Sequence, residues 1–286
     1  MIWHLHKYSS RKSLLGLGIA AVVIASFIYW VYSQFYLSTD DAYVNANVVQ
    51  VSSRVTGQVA RLAIKNNQYV NKGQLLFALD SDPFVTVINQ VKAQYAMDTA
   101  KLKLAQATEG RLANLVLKKV ASAQEGDSAK ASLQAAIAQI DLDNANLMQA
   151  ELNLRYSQVT APVSGWVTNV SLRVGDTVTA NQPLFALISD EEFWVDANFK
   201  ETELHYIKAG QHADIKVDMY PDQPFKGVVE SISGGSGSAF SLLPPENATG
   251  NWVKVTQRVP VRVRIVKPDP KFPLRIGTSA VVTIHI

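Results

Sequence analysis

The sequence contains no cysteine in 286 residues. That excludes a disulfide framework, a zinc knuckle and a thiol nucleophile. Histidine is scarce, and His4, His6, His205, His212 and His285 show no metal-ligand spacing. No G-x-S-x-G elbow and no phosphate-binding glycine loop occurs. The chain therefore does not read as an enzyme, and no metal or cofactor is expected. Excess charge is also missing from the bulk of the chain. The first 13 residues hold Lys7, Arg11 and Lys12 and no acid, which accounts for the formal net charge of +3. Of the 27 basic residues, 24 remain to balance 24 acids. A nucleic-acid binder concentrates positive charge on its folded part, so nucleic acid is not an expected partner.

Charged residues of either sign are absent from Ser13 to Thr39, and the run Leu14 to Tyr32 is almost wholly apolar. A helix needs about 20 such residues to cross a bilayer. Tyr29, Trp30 and Tyr32 stand at its far end, where amphipathic rings favour the headgroup level. Basic residues before the span and Asp40 and Asp41 after it place the N-terminus in the cytoplasm and the remainder outside the inner membrane. A cleaved signal peptide ending near Val23-Ile24-Ala25 is the alternative, but apolar sequence continues well past that point. One span cannot form a transport path.

The chain also repeats itself. Residues 51–80 align without gaps to residues 159–188 at an offset of 108. Val51, Val55, Gly57, Val59, Val70, Gln74, Leu76, Phe77, Ala78 and Leu79 recur as Val159, Val163, Gly165, Val167, Val178, Gln182, Leu184, Phe185, Ala186 and Leu187. Each half alternates apolar residues between turn signals, the pattern of short strands. A half so small cannot bury its apolar face alone, so the two are expected to form one sandwich.

Between the halves the composition turns helical. Residues 83–118 and 123–157 are rich in Ala, Leu, Gln, Lys and Asp. Asp82 reads as the first N-cap with Pro83 following it, and Ser122 to Glu125 as a capping box that starts a second helix. Phe84, Ile88, Val91, Tyr95, Asp98, Leu102, Ala105, Glu109, Leu112 and Val116 follow heptad steps. The second segment gives Leu133, Ile137, Ile140, Asn144, Leu147, Glu151 and Leu154. Two helices of about 36 residues, each about 54 Å long, imply an antiparallel coiled-coil hairpin projecting from the sandwich. From residue 190 onward, alternating segments such as Ala213–Val217 and Val259–Val266 suggest an antiparallel barrel. The Gly/Ser-rich stretch 233–237 leads to Phe240, Leu242 and Leu243, a long loop that either folds back on the barrel or contacts a partner.

A sandwich split by a coiled-coil hairpin resembles the membrane fusion proteins, the HlyD family of periplasmic adaptors. Several stretches are similar to its EmrA type. They are Ser38-Thr39-Asp40-Asp41-Ala42-Tyr43-Val44, Ala161-Pro162-Val163-Ser164-Gly165, Phe193 to Thr202, Pro244 to Trp252, and Gln257-Arg258-Val259-Pro260-Val261. The fold class expected is mainly β, with a lipoyl-like β-sandwich split by the hairpin, a β-barrel domain and one N-terminal transmembrane helix. The expected order is a cytoplasmic tail (1–13), the span (14–36), a linker with the first barrel strand (37–50), half 1 (51–80), the hairpin (81–157), half 2 (158–189) and the barrel (190–286). Neither half carries the acceptor Lys of a swinging-arm carrier at a joining turn, which argues against a lipoyl or biotinyl cofactor.

The resemblance also implies a role. An adaptor of a tripartite efflux pump links an inner-membrane drug exporter of the major facilitator type to a TolC-like outer-membrane channel, as a homo-oligomeric ring of six. Rival readings are an adaptor for an aromatic-acid exporter or a type I secretion system, and a single-span envelope scaffold with no transport role. Arg111, Leu115 and Ser122 match the spacing of the arginine–leucine–serine signature, whose residues touch the channel in adaptors that dock there. Lys119 departs from that signature, standing where Gly is common, and Ala121 stands where Ile or Val is common.

Overall fold

A computed structural model of the protein describes residues 35–240, 254–269 and 271–286. The expected membrane span lies outside the described residues, and among those described no helix is long and apolar enough to cross a membrane. The chain divides into two compact units, residues 48–189 and residues up to 47 together with 190–286.

The first unit contains β2 (Gly57–Leu62), β3 (Tyr69–Val70), β4 (Leu75–Leu79), β5 (Gln158–Thr160), β6 (Gly165–Thr168), β7 (Thr177–Val178) and the first residues of β8 (Pro183–Lys200). Strands from the two repeats pair with each other, and they do so symmetrically. Gly57 opposes Val178 and Gln58 opposes Thr177, while their repeat mates Gly165 and Trp166 oppose Val70 and Tyr69. Backbone bonds follow the same rule. Asn67 N–H donates to Val167 O and Gly175 N–H to Val59 O, and Val167 N–H donates to Gln68 O and Val59 N–H to Asp176 O, each at 2.8–2.9 Å. The core is mirrored too: Val59, Ile64, Val70, Phe77 and Leu79 are buried with Val167, Leu172, Val178, Phe185 and Leu187. Phe77 and Phe185, equivalent in the repeat, meet edge to face at 6.1 Å between centroids. Ten recurring residues thus encode one sandwich because each half supplies what the other must bury. Gly165 is required by backbone proximity. Its φ is +154°, and a Cβ there would lie 1.9 Å from Ile188 O.

Inserted between the halves are α1 (Asp82–Leu117) and α2 (Ala123–Tyr156). They run antiparallel: the start of α1 shares a groove with the end of α2, and the late part of α1 shares another with the start of α2. The N-cap of α1 is Ser81, one residue before the Asp82 read from sequence, and it makes no side-chain cap bond. Asp80 takes over instead, its Oδ1 accepting from Asp82 N–H at 3.1 Å.

On α1 the seam follows the expected series, with Ile88 and Asp98 buried. On α2 it does not. The covered positions are Gly126, Ala129, Leu133, Ala136, Ile140, Asp143, Leu147, Ala150 and Leu154, joined in the last turns by Leu152, Asn153 and Tyr156. Ile137, Asn144 and Glu151 are exposed, so the sequence reading placed three seam positions one residue too late. The covered series begins at the tip with Gly126. A Cβ on Gly126 would come within 3.2 Å of Val116 Cγ2, so glycine eases the close approach there, and steps of three and four lead on to the remaining positions.

The second unit is a closed six-stranded antiparallel barrel made of β1 (Tyr36–Ser52), β8, β9 (His212–Val217), β10 (Pro224–Ile232), β11 (Arg258–Ile265) and β12 (Ser279–His285). The order is β1-β12-β9-β10-β11-β8, and β8 pairs again with β1. Inward residues alternate with outward ones, as in Val259, Val261, Val263 and Ile265 between Arg258, Arg262 and Arg264.

Candidate functional site

The hairpin tip is built from two terminal devices. The end of α1 forms a Schellman motif, in which Lys119 N–H donates to Val116 O and Val120 N–H to Leu115 O, both at 2.9 Å. This motif puts Lys119 in the left-handed region at φ +58°, which is why a glycine suits that position. The start of α2 is a full capping box. Glu125 N–H donates to Ser122 Oγ at 3.2 Å, and Ser122 N–H donates to Glu125 Oε2 at 2.8 Å. The bond from the Ser122 backbone, followed by that from its hydroxyl, holds the Glu125 carboxyl below the usual carboxylate range.

Arg111, Leu115 and Ser122 are all exposed. Arg111 stands one turn before Leu115 on α1, and its guanidinium reaches only Thr108 Oγ1, at 3.4 Å. The Leu115 carbonyl also accepts from Ala121 N–H at 3.4 Å, which ties it to the residue preceding Ser122. Two further apolar side chains belong to this tip and were not singled out from sequence: Leu117 and Val120 are 82% and 73% exposed. The available signal was their apolar character off the seam series beside Leu112 and Val116. Of the loop candidates, Leu242 and Leu243 and the side chain of Phe240 lie outside the described residues.

A second polar arrangement joins three of the sequence motifs on neighbouring strands of the barrel. Between Thr39 and Ala42 the register of β1 against β12 shifts, and Asp41 in this irregularity pairs with Arg258 of β11 at 3.3 Å. Asn198 of β8 donates to Asp41 Oδ1 at 3.1 Å, and the Thr39 hydroxyl donates to Asn198 O at 2.9 Å. Higher on the same strands, Asp196 accepts from Asn45 Nδ2 at 2.7 Å and from Trp194 Nε1 at 3.1 Å. Arg262 stacks over Trp194 at 4.5 Å. Asp41 and Arg258 are half-exposed, so their ion pair is worth about 1 kcal/mol at most. What the network adds is fixed orientation on one outer face.

Comparison with known proteins follows the same division. Residues 47–190 match the domain described as "RND MFP, barrel-sandwich hybrid domain", and residues 192–285 match the "AAEA-like beta-barrel domain". The multidrug export protein EmrA of Haemophilus influenzae is 34% identical, the match covering 97% of this chain and 85% of that protein. The fatty acid resistance protein FarA of Neisseria gonorrhoeae is 37% identical over 86% of this chain and 75% of its own length. In fold, the membrane fusion protein Spr0693 of Streptococcus pneumoniae R6 is similar at TM-score 0.64 and 19% identity, covering 87% of this chain and 97% of that one. Two adjoining domain matches and such identity along nearly the whole sequence have one reading: the chain belongs to the membrane fusion protein family, in its EmrA-like group.

Proposed function

We infer that the chain is the periplasmic adaptor of a tripartite efflux pump, and that it works by linking and sealing, with no chemistry of its own. One observation carries this: a long helical pair interrupts a sandwich between its two halves and ends in a stapled turn whose apolar side chains are exposed. Such a turn suits contact with another protein, since Leu115, Leu117 and Val120 would otherwise face water without gain.

In this reading residues 14–36 cross the inner membrane, with residues 1–13 in the cytoplasm and the rest in the periplasm. The barrel and sandwich form a collar beside a transporter of the major facilitator type, and six copies close a ring. The coiled-coil hairpin of residues 81–157 reaches a TolC-like channel through Arg111, Leu115 and Ser122. The loop bearing Phe240, Leu242 and Leu243 either folds back on the barrel or contacts a partner. The test is drug resistance in cells carrying Arg111→Asp, with protein abundance and thermal melting followed in parallel. Loss of resistance at normal abundance and with an unchanged melt is expected, because Arg111 is exposed and its removal costs little stability. Full resistance at normal abundance would remove the docking role from this tip.

A further inference from the structure

The membrane run read from the sequence and the barrel leave no linker between them. The run occupies residues 14–36, and β1 begins at Tyr36. Phe35, the residue before it, is already tied to the barrel, since Ile286 N–H donates to Phe35 O at 3.0 Å. The Tyr36 ring meets His285 edge to face at 5.0 Å between centroids. A chain that leaves the bilayer here reaches the barrel at once, and the headgroup layer is only about 6 Å deep. The rim on which β1 starts therefore lies against that layer.

Strand register shows what else stands on this rim. Tyr36 opposes His285 and Ile284 opposes Ala213, so the start of β1, the end of β12 and the start of β9 are level. The Thr39 hydroxyl donates to Asn198 O, which brings in the end of β8. In the barrel β1 and β12 stand between β8 and β9, so the connection of residues 201–211 arches over the point where β1 begins. That connection is a built turn. Gln211 closes it, its Nε2 donating to Tyr206 O at 3.0 Å and its Oε1 accepting from Lys208 N–H at 2.8 Å. Ile207 is buried and pins the turn to the barrel. His205, Tyr206 and Lys208 are exposed, and the two rings lie 3.7 Å apart. Tyr206 is 52% exposed and Phe35 56%.

We propose that this rim is a lipid-contact surface, on which Phe35, Tyr206 and Lys208 enter the headgroup layer beside the point where the chain leaves the membrane. The proposal rests on the membrane span inferred above and adds a second attachment to it. Aromatic rings favour the headgroup level, and a lysine there keeps its ammonium in water above its apolar stem. A single tether lets the barrel pivot, whereas a second contact next to it fixes the tilt. Lys200 and Lys208 are balanced by Glu201 and Glu203, so the attachment needs no anionic lipid.

The lack of cysteine makes single labelled sites available. The full chain is placed in phosphatidylcholine vesicles that carry a nitroxide quencher on the headgroup, with no other protein present. A fluorophore on Ala209→Cys reports this rim, and one on Asp222→Cys reports the opposite rim, between β9 and β10; both positions are exposed. The Ala209 label should lose most of its emission to the quencher, and the Asp222 label should keep most of its own. Adding Tyr206→Ser to Ala209→Cys should restore a large part of the lost emission. Equal quenching at the two rims, or quenching that Tyr206→Ser leaves unchanged, would overturn the proposal. So would a bright Ala209 label that is shielded only once a transporter is added, since the rim would then dock on protein. An alkaline wash separates this contact from the span. A chain retained by the vesicles with a bright Ala209 label overturns the lipid contact alone, and a chain washed free overturns the span together with it.

Discussion

The sandwich and the hairpin inserted into it are held together in opposite ways. In the sandwich, Val70, Leu76, Phe77, Val167 and Leu187 are fully buried, and each half completes the other's hydrogen bonds. In the hairpin, only Ile88, Asp98, Ala129, Asp143 and Ala150 are buried within the helices, and the rest of the seam is half open to water. Two of those five are acids and two are alanines. The sandwich is therefore stabilised by mutual burial and fails as a whole. The hairpin depends on length, end caps and many weak layers, and it yields locally. This division suits a firm base that bears a long, locally yielding arm.

One substitution made in both regions tests the contrast, and it carries the largest expected effect. Gly165→Ala drives a methyl against Ile188 O, 1.9 Å away, from a φ of +154°. It should cost more than about 4 kcal/mol and abolish the cooperative unfolding of the sandwich in denaturant. Gly110→Ala places the same methyl in α1, where nothing lies within 4 Å. There it should stabilise by about 1 kcal/mol, because alanine favours the helix. Equal responses at the two sites would erase the distinction.

How far the sequence revealed this structure follows the same line. The repeat was legible because mutual burial makes both halves retain the same apolar residues at the same offset, such as Phe77 and Phe185. The helix limits were legible from Pro83 and the Ser122–Glu125 box. The α2 seam was misread because apolarity favours Ile137 over Ala136, whereas the helix turns small residues such as Gly126, Ala129, Ala136 and Ala150 into the seam. No residue scale would choose Asp143 for a seam. The barrel network was hidden for a different reason. Asp41, Asn198 and Arg258 lie far apart in sequence, and only strand pairing makes them neighbours. At the tip, the spacing of Arg111, Leu115 and Ser122 could be read directly, while the exposure of Leu117 and Val120 depended on how the turn closes.

A smaller effect is expected at the start of α2. Ser122→Ala removes one half of the capping box and should cost about 1 kcal/mol, confined to the first turns of the helix. Hydrogen exchange should show amides near Glu125 losing protection while the amides of Val59 and Val167 in the sandwich keep theirs. Acid should act in the same place. The Glu125 carboxyl titrates below its ordinary value, so its contribution is present above that value and is lost as pH falls through the lowered one. In Ser122→Ala this acid-linked fraying should weaken but persist, because the larger of the two bonds that lower the titration comes from the residue's backbone N–H, which alanine keeps. Protection lost equally in the sandwich would mean that the two regions are coupled more tightly than their packing implies.

The smallest expected effect has the opposite sign and falls on the single residue that strains the tip. Lys119 occupies the left-handed region at φ +58° to complete the Schellman motif. For a residue with a side chain that conformation costs about 1 kcal/mol, and glycine avoids the cost. Glycine also gives the unfolded chain more freedom, which takes back about half of the gain. Lys119→Gly should therefore stabilise the turn by about 0.5 kcal/mol, seen as slower exchange at Val120 N–H, whose bond to Leu115 O closes the motif. The same variant separates the turn's shape from its chemistry. If the tip acts through the path of its backbone, resistance should persist in Lys119→Gly, since the motif is preserved and its strain is relieved. If resistance is lost while exchange at Val120 slows, the Lys119 ammonium itself takes part in the contact. Faster exchange at Val120 would show that the lysine side chain holds the turn by something other than backbone conformation, and the strain argument would fall.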